Sequence, residues 1–127
     1  MYLLLIVGVL YLLQYGIDYC YKKRVSNKFT RLLKHQTDDG IMIFGSSVVY
    51  HQFDANIIQA TTGVTTYNMG WPGMFFIQYS GLIKEYLSYE KNCRYLVIGC
   101  DFDNLGKTGL IRRPDLFYAW LNNNNVY

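Results

Sequence analysis

Hydrophobic positions are distributed unevenly along the chain, and the first block of them is continuous. Residues 2 to 17, YLLLIVGVLYLLQYGI, carry no charge and a single amide. Crossing a hydrocarbon core takes about 20 residues, with about 17 as the low end. The run reaches that length once Met1 and the residues up to Cys20 or Tyr21 are included. Tyr11, Tyr15, Tyr19 and Tyr21 gather toward one end, where amphipathic rings favour the headgroup layer, and Lys22-Lys23-Arg24 follow. The pattern predicts a transmembrane anchor over residues 1–21, in contact with a lipid bilayer. A secretory signal peptide would want a basic n-region and a small-x-small cleavage site, and neither is present. The remaining alternative is an apolar core helix.

Residues 22–40 then read as a basic juxtamembrane segment. Phe29, Leu32 and Leu33 are spaced for one helix face, and Thr37-Asp38-Asp39-Gly40 is a loop. The globular part is expected to begin at Ile41 and run to residue 127.

From Ile41 the pattern changes to short apolar runs alternating with amphipathic ones. Ile41 to Phe44, closed by Gly45, has the form of a strand buried on both faces. Asp54 is a candidate N-cap for a short helix through Ile57, Ile58 and Ala60, which ends near Gly63. Val64 to Met69 reads as a second strand, followed by the turn Asn68-Met-Gly-Trp-Pro-Gly73. Phe75, Phe76, Tyr79, Leu82, Ile83, Tyr86 and Leu87 fall at helical spacing and predict a helix over residues 74–90. Arg94 to Cys100 is a third strand. Beyond it, Leu105 to Arg113 reads as a polar loop, Pro114 as the start of a last helix through Trp120, and Asn122 to Asn125 as a polar tail.

Strand, helix, strand, helix, strand with short connections predicts an α/β domain with a parallel sheet and right-handed crossovers. Three strands make an incomplete sheet of that kind. Ligands gather at the carboxyl ends of such strands. Here those ends are Gly45-Ser46-Ser47, Asn68 to Gly73, and Cys100-Asp101-Phe102-Asp103-Asn104.

Composition narrows the partners. In 127 residues, 51% hydrophobic and 17% charged, disorder is excluded. The net charge of +3 hides an asymmetry: Lys22, Lys23, Arg24, Lys28, Arg31 and Lys34 stand between Tyr19 and His35 with no acid among them. A basic tract directly after an apolar run is more simply a membrane-surface contact than a nucleic-acid footprint, which would be spread over the folded domain. No nucleic-acid partner is expected. Cys20, Cys93 and Cys100 form neither a disulfide framework nor a zinc pattern. Cys93 and Cys100 could pair only if the fold brought them together, and they read instead as small apolar core residues. No metal or cofactor is expected.

The strand tips carry the candidate chemistry. A serine hydroxyl needs a base to take its proton and donors to hold the developing oxyanion. A strand end opening into a helix supplies part of this through unpaired N–H groups and the helix dipole. Ser46 and Ser47 therefore read either as helix caps or as one cap and one nucleophile, with Gly45 permitting the tight turn. At the second tip, Gly70 and Gly73 would let the backbone approach a bound group, and Asn68 offers an amide. These are oxyanion donors or a structural turn. His51 lies four residues after Ser47, on the same helix face, and is either a candidate base or a histidine on the surface or substrate side.

GSS after a buried strand, then Tyr-Asn-Met-Gly-Trp-Pro-Gly about twenty residues on, then a strand ending in Asp, resembles the start of the SGNH/GDSL hydrolase superfamily. The likeness covers residues 41 to 104 and includes the apolar N-terminal anchor of membrane-bound bacterial members, such as D-alanyl-transfer proteins and polysaccharide acyl esterases. The resemblance implies a three-layer flavodoxin-like fold and places Ser47 on the family's nucleophile, with Ser46 in the place of the aspartate of Gly-Asp-Ser. Gly73 matches the glycine whose N–H serves the oxyanion hole. Asp101 falls where the family has its oxyanion asparagine, a departure, because a carboxylate repels an oxyanion unless protonated or turned away. The family's Asp-x-x-His block has no counterpart after Asn104, and His35 and His51 are the only histidines.

The resemblance implies the N-terminal part of a serine acyl-ester hydrolase or acyltransferase acting on a cell-envelope polymer. The expected setting is a bacterial cytoplasmic membrane crossed once, with the domain outside. Lys22 to Arg24 argue for the opposite orientation. Without the histidine block the fragment is expected to be inactive. The alternative is a non-enzymatic membrane-anchored α/β binding module or a truncated remnant. A phosphate-binding flavodoxin-like domain would want a glycine-rich phosphate loop after the first strand, which is missing.

Overall fold

The computed structural model of the chain describes residues 2–24, 27–37, 40–90, 92–101, 105 and 114–116. The acids of the expected Thr37–Gly40 loop, tip residues 102–104, most of the loop to residue 113, the last helix past Leu116 and the polar tail lie outside the described residues. Pro114–Leu116 form a 3-10 turn.

Helix α1, Tyr2–Arg24, holds a 19-residue stretch, Tyr2–Cys20, long and apolar enough to cross a membrane, and none of that stretch is buried inside the protein. An apolar core helix would be covered by its own domain, and the described residues do not cover this one. Helix α2, Asn27–Leu33, behaves differently. Phe29 and Leu32 are fully buried and Leu33 nearly so, packed with residues of the later helix 76–89. The packed core thus begins ahead of Ile41, and the segment read as a separate juxtamembrane stretch contributes to it. The apolar spacing of Phe29, Leu32 and Leu33 is the reason: a stripe that wide is buried against something. A Schellman cap closes α2, with the His35 N–H donating to Leu32 at 2.9 Å and the Gln36 N–H to Arg31 at 2.9 Å. His35 takes the left-handed conformation this cap requires, at φ 55°. Its Nε2 meets buried Glu85 Oε1 at 2.7 Å, which fixes the end of α2 to the domain.

Strands β1 (Ile41–Phe44), β2 (Thr66–Asn68) and β3 (Tyr95–Ile98) form one parallel sheet in the order β2-β1-β3. Ile41 is paired with Thr66 on one side and Tyr95 on the other. All four residues of β1 are buried, as its unbroken apolar run predicts. Ile41 and Ile43 face Val49, Ile58 and Val64, from α3 (Ser47–Gln52), α4 (Ala55–Thr62) and the turn after it. Met42 and Phe44 face Tyr79, Leu82 and Tyr86 of α5 (Phe76–Tyr89), together with Phe29 and Leu32.

Two steps build the sheet. The chain leaves β1 for β2 across one face through α3 and α4, then returns over β1 to β3 across the other face through α5. Moving in opposite directions on opposite faces gives both crossovers the same hand, as right-twisted parallel strands require. Asp54 caps α4 as predicted, accepting from Asn56 N at 2.8 Å and Ile57 N at 3.4 Å, and Gly63 ends it at φ 70°. The helix expected over 74–90 runs Phe76–Tyr89, started by the Gln78 side chain accepting from Phe75 N at 3.1 Å. At the sheet's β3 edge, Tyr95, Val97 and Ile98 remain exposed.

Candidate functional site at the strand tips

The order of the strands, β2-β1-β3, reverses at β1, which makes the carboxyl ends of β1 and β3 the place of a topological switch. That is where ligands bind in open parallel sheets. Ser46, Ser47 and Asp101 occupy this place.

Ser46 is the N-cap of α3 in extended conformation. Its Oγ accepts from the Val48 N–H at 3.4 Å and donates to the Asp101 carboxylate. One hydroxyl thereby ties the start of α3 to the end of β3. The Asp101 carboxylate is accordingly engaged by Ser46. Ser47, the first residue of α3, is half-buried, and neither its hydroxyl nor its N–H has a partner among the described residues. Its N–H is one of the orphan donors at a helix start.

The second tip separates into two parts. Asn68 is buried and fully used: Nδ2 donates to the Val49 carbonyl at 2.9 Å and the Phe53 carbonyl at 2.7 Å, while Oδ1 accepts from Gly70 N at 2.7 Å. It ties β2 to the end of α3 and has no hydrogen left for a ligand, so of its two readings the structural turn holds. Gly73 is exposed at φ 78°, a conformation that favours glycine, and its N–H has no partner among the described residues.

Glycines at the tips have a different cause from the one the sequence suggests. A methyl group added at Gly45, Gly70 or Gly99 would run into the side chain of Val49, which is almost fully buried. At Gly70 it would also lie 2.6 Å from the Tyr50 backbone nitrogen. Val49 is thus the peg by which α3 seats on the ends of all three strands, and the small residues leave it room. Gly45 is needed for this close approach; its φ is not positive. The contacts are closed by Trp71 N donating to the Gly45 carbonyl at 3.1 Å and Gly99 N to the Phe44 carbonyl at 2.8 Å.

His51 makes no hydrogen bond with Ser47. It stands edge-on to Tyr50 with ring centroids 4.9 Å apart and lines a separate open hollow with Lys28, Tyr50, Phe53 and Tyr67. The absence of a hydrogen bond to Ser47 and the place in this hollow fit the surface reading of His51. Among the described residues no group of three His, Cys, Asp or Glu side chains could hold a metal ion. The cysteines are free; Cys20 on α1 and Cys100 are exposed and Cys93 is half-buried, so the expectation of a core thiol fails for Cys100. Its position explains it, because it lies just past β3, where Tyr95, Val97 and Ile98 are exposed.

Sequence reasoning passed over Tyr79. Its ring is fully buried and its hydroxyl donates to the Gly99 carbonyl at 3.2 Å, just past the end of β3. Burial first, then the charges of Cys100 and Asp101, push its pKa up from the ordinary 10.0 to about 12. A raised folded pKa means the folded chain holds the proton after the unfolded chain has lost it. The stabilisation is therefore whole below pH 10 and lost as pH rises toward about 12. Denaturant midpoints of the native chain and Tyr79→Phe should converge across that window, since the other tyrosines are common to both. A constant difference would contradict the assignment.

Comparison of the chain with protein-family models, with curated proteins and with solved structures finds no match in any of the three.

Proposed function

We propose that the chain carries the nucleophile half of a membrane-anchored SGNH-like serine acyl-ester hydrolase or acyltransferase of flavodoxin-like fold, acting on a cell-envelope polymer. The setting proposed is the outer face of a bacterial cytoplasmic membrane. The observation that carries this reading is Ser47: a half-buried hydroxyl with no partner among the described residues, at a helix start beside the point where strand order reverses. Its oxygen would attack the ester carbonyl. The N–H groups of Ser47 and Gly73 are the donors proposed for the oxyanion, and Ser46 keeps the Asp101 carboxylate in a hydrogen bond of its own. The ester's alkoxide leaves with a proton, and water or an acceptor hydroxyl then releases the acyl group. None of the described histidines serves Ser47, so the base is proposed to come from residues other than those described.

Chemical rescue tests this directly. With imidazole added as an external base, the full chain should cleave an activated acetyl ester faster than Ser47→Ala at the same imidazole concentration, the gap widening as imidazole rises. Equal rates for the two proteins at every concentration would refute Ser47 as a nucleophile. A non-enzymatic binding module at the same strand tips is the second reading, favoured by the lack of any hydrogen bond between Ser47 and His51; it predicts those equal rates.

A further inference from the structure

Two of the six basic residues of the tract lie over aromatic rings of the domain. Lys28 is half-buried, with Nζ 4.8 Å from the centroid of the Tyr50 ring, and the Arg31 guanidinium lies 4.9 Å over Tyr67. Lys28, Tyr50, His51 and Tyr67 line an open hollow of about 440 Å³, floored by Thr66 and Asn68. Phe53 and, just outside it, Ile57 expose apolar side chains, at 40% and 64%. Asp54 also lines the hollow, but its carboxylate accepts the Asn56 and Ile57 N–H groups at the start of α4. Cations, ring faces and an apolar rim together fit an anion attached to an apolar body.

The hollow's place along the chain selects the source of that anion. Lys28 follows Arg24, the end of α1, by four residues, which span at most about 14 Å when fully extended. If α1 crosses a bilayer, the hollow is held within reach of the headgroups. We propose that it receives the phosphate of an anionic membrane lipid, with the Lys28 ammonium and His51 ring on the phosphate and Tyr50 and Phe53 against the glycerol. The proposal rests on the anchoring reading of α1. Burial pushes the Lys28 ammonium below its ordinary pKa, and a phosphate beside it would favour the charged form.

The test uses the full chain in neutral detergent, titrated with phosphatidylglycerol or phosphatidylcholine, with bound lipid counted by native mass spectrometry. Phosphatidylglycerol should be retained over phosphatidylcholine. Lys28→Gln with His51→Gln should lower its occupancy about five-fold or more, while Lys23→Gln, outside the hollow, should change it less than about two-fold. Unchanged occupancy in the double variant overturns the proposal. So does glycerophosphate, or a soluble acidic polysaccharide, binding as tightly with the same Lys28 dependence, since the site would then serve a free anion. Alkaline carbonate extraction of the same proteins from membranes separates the two premises. Release of the native chain defeats the anchor, whereas retention together with unchanged lipid occupancy defeats the headgroup site alone.

Discussion

Gly99→Ala is expected to destabilise the fold by about 1–3 kcal/mol, and Gly70→Ala by the upper end of that range or more. The added methyl at Gly99 meets the Val49 side chain, and at Gly70 it meets the Tyr50 backbone nitrogen as well. A side chain can yield by rotation; a backbone nitrogen inside a helix cannot without moving the helix. The diagnostic result is the coupling. Val49→Ala alone removes buried methyls from the Ile41–Ile43 side of the sheet and costs about 2 kcal/mol. Combined with Gly99→Ala, which fills the vacated space, the total loss should fall short of the sum by about 1 kcal/mol. Urea midpoints of the four chains measure it. Strict additivity would show that Val49 is not the peg on which α3 seats.

Phe29→Ala should be the most damaging single truncation in α2, at about 3–5 kcal/mol. Its ring is fully buried and meets Trp71 edge-on at 5.2 Å, so it joins the first packed helix to the turn at the second strand tip. Small domains hold only about 5–15 kcal/mol in total, and the variant is expected to unfold near room temperature or in dilute denaturant. Loss of Trp71 emission at lower denaturant would report it. A change within about 0.5 kcal/mol, as for a surface residue, would mean that α2 is a tether outside the core.

What could be read without coordinates follows from how local each signal is. Strand β1 was legible because a central parallel strand is buried on both faces and leaves an unbroken apolar run, IMIF. Helix α4 was legible because Asp54 and Gly63 mark its two ends chemically. The packing of α2 was half legible: the spacing of Phe29, Leu32 and Leu33 announces a buried face, but not against which partner. Contacts between distant residues left no local trace. The roles of Asn68 and Val49 depend on α3 lying across the strand tips, and Ser46 reaches Asp101 only because β3 pairs beside β1. The one available clue was that the first and third strands each run into a glycine at their carboxyl ends, Gly45 and Gly99, with Gly70 two residues past the second. Glycine repeated at several tips signals something packed closely there, and a helix serves as well as a ligand.

His51 shows the opposite case, in which helical spacing misleads. Four residues on from Ser47 it has the spacing of one face, yet no hydrogen bond joins the two, and the His51 ring lies edge-on to Tyr50 in the hollow that Lys28 also lines.

The most direct test of Ser47 as the nucleophile is the site of covalent labelling by a fluorophosphonate, read by peptide mass spectrometry on the full chain with and without imidazole. The expected result is phosphonylation at Ser47 that depends on imidazole and is absent from Ser47→Ala, with Ser46 unmodified. Labelling at Ser46, or no labelled serine at any imidazole concentration, would contradict it.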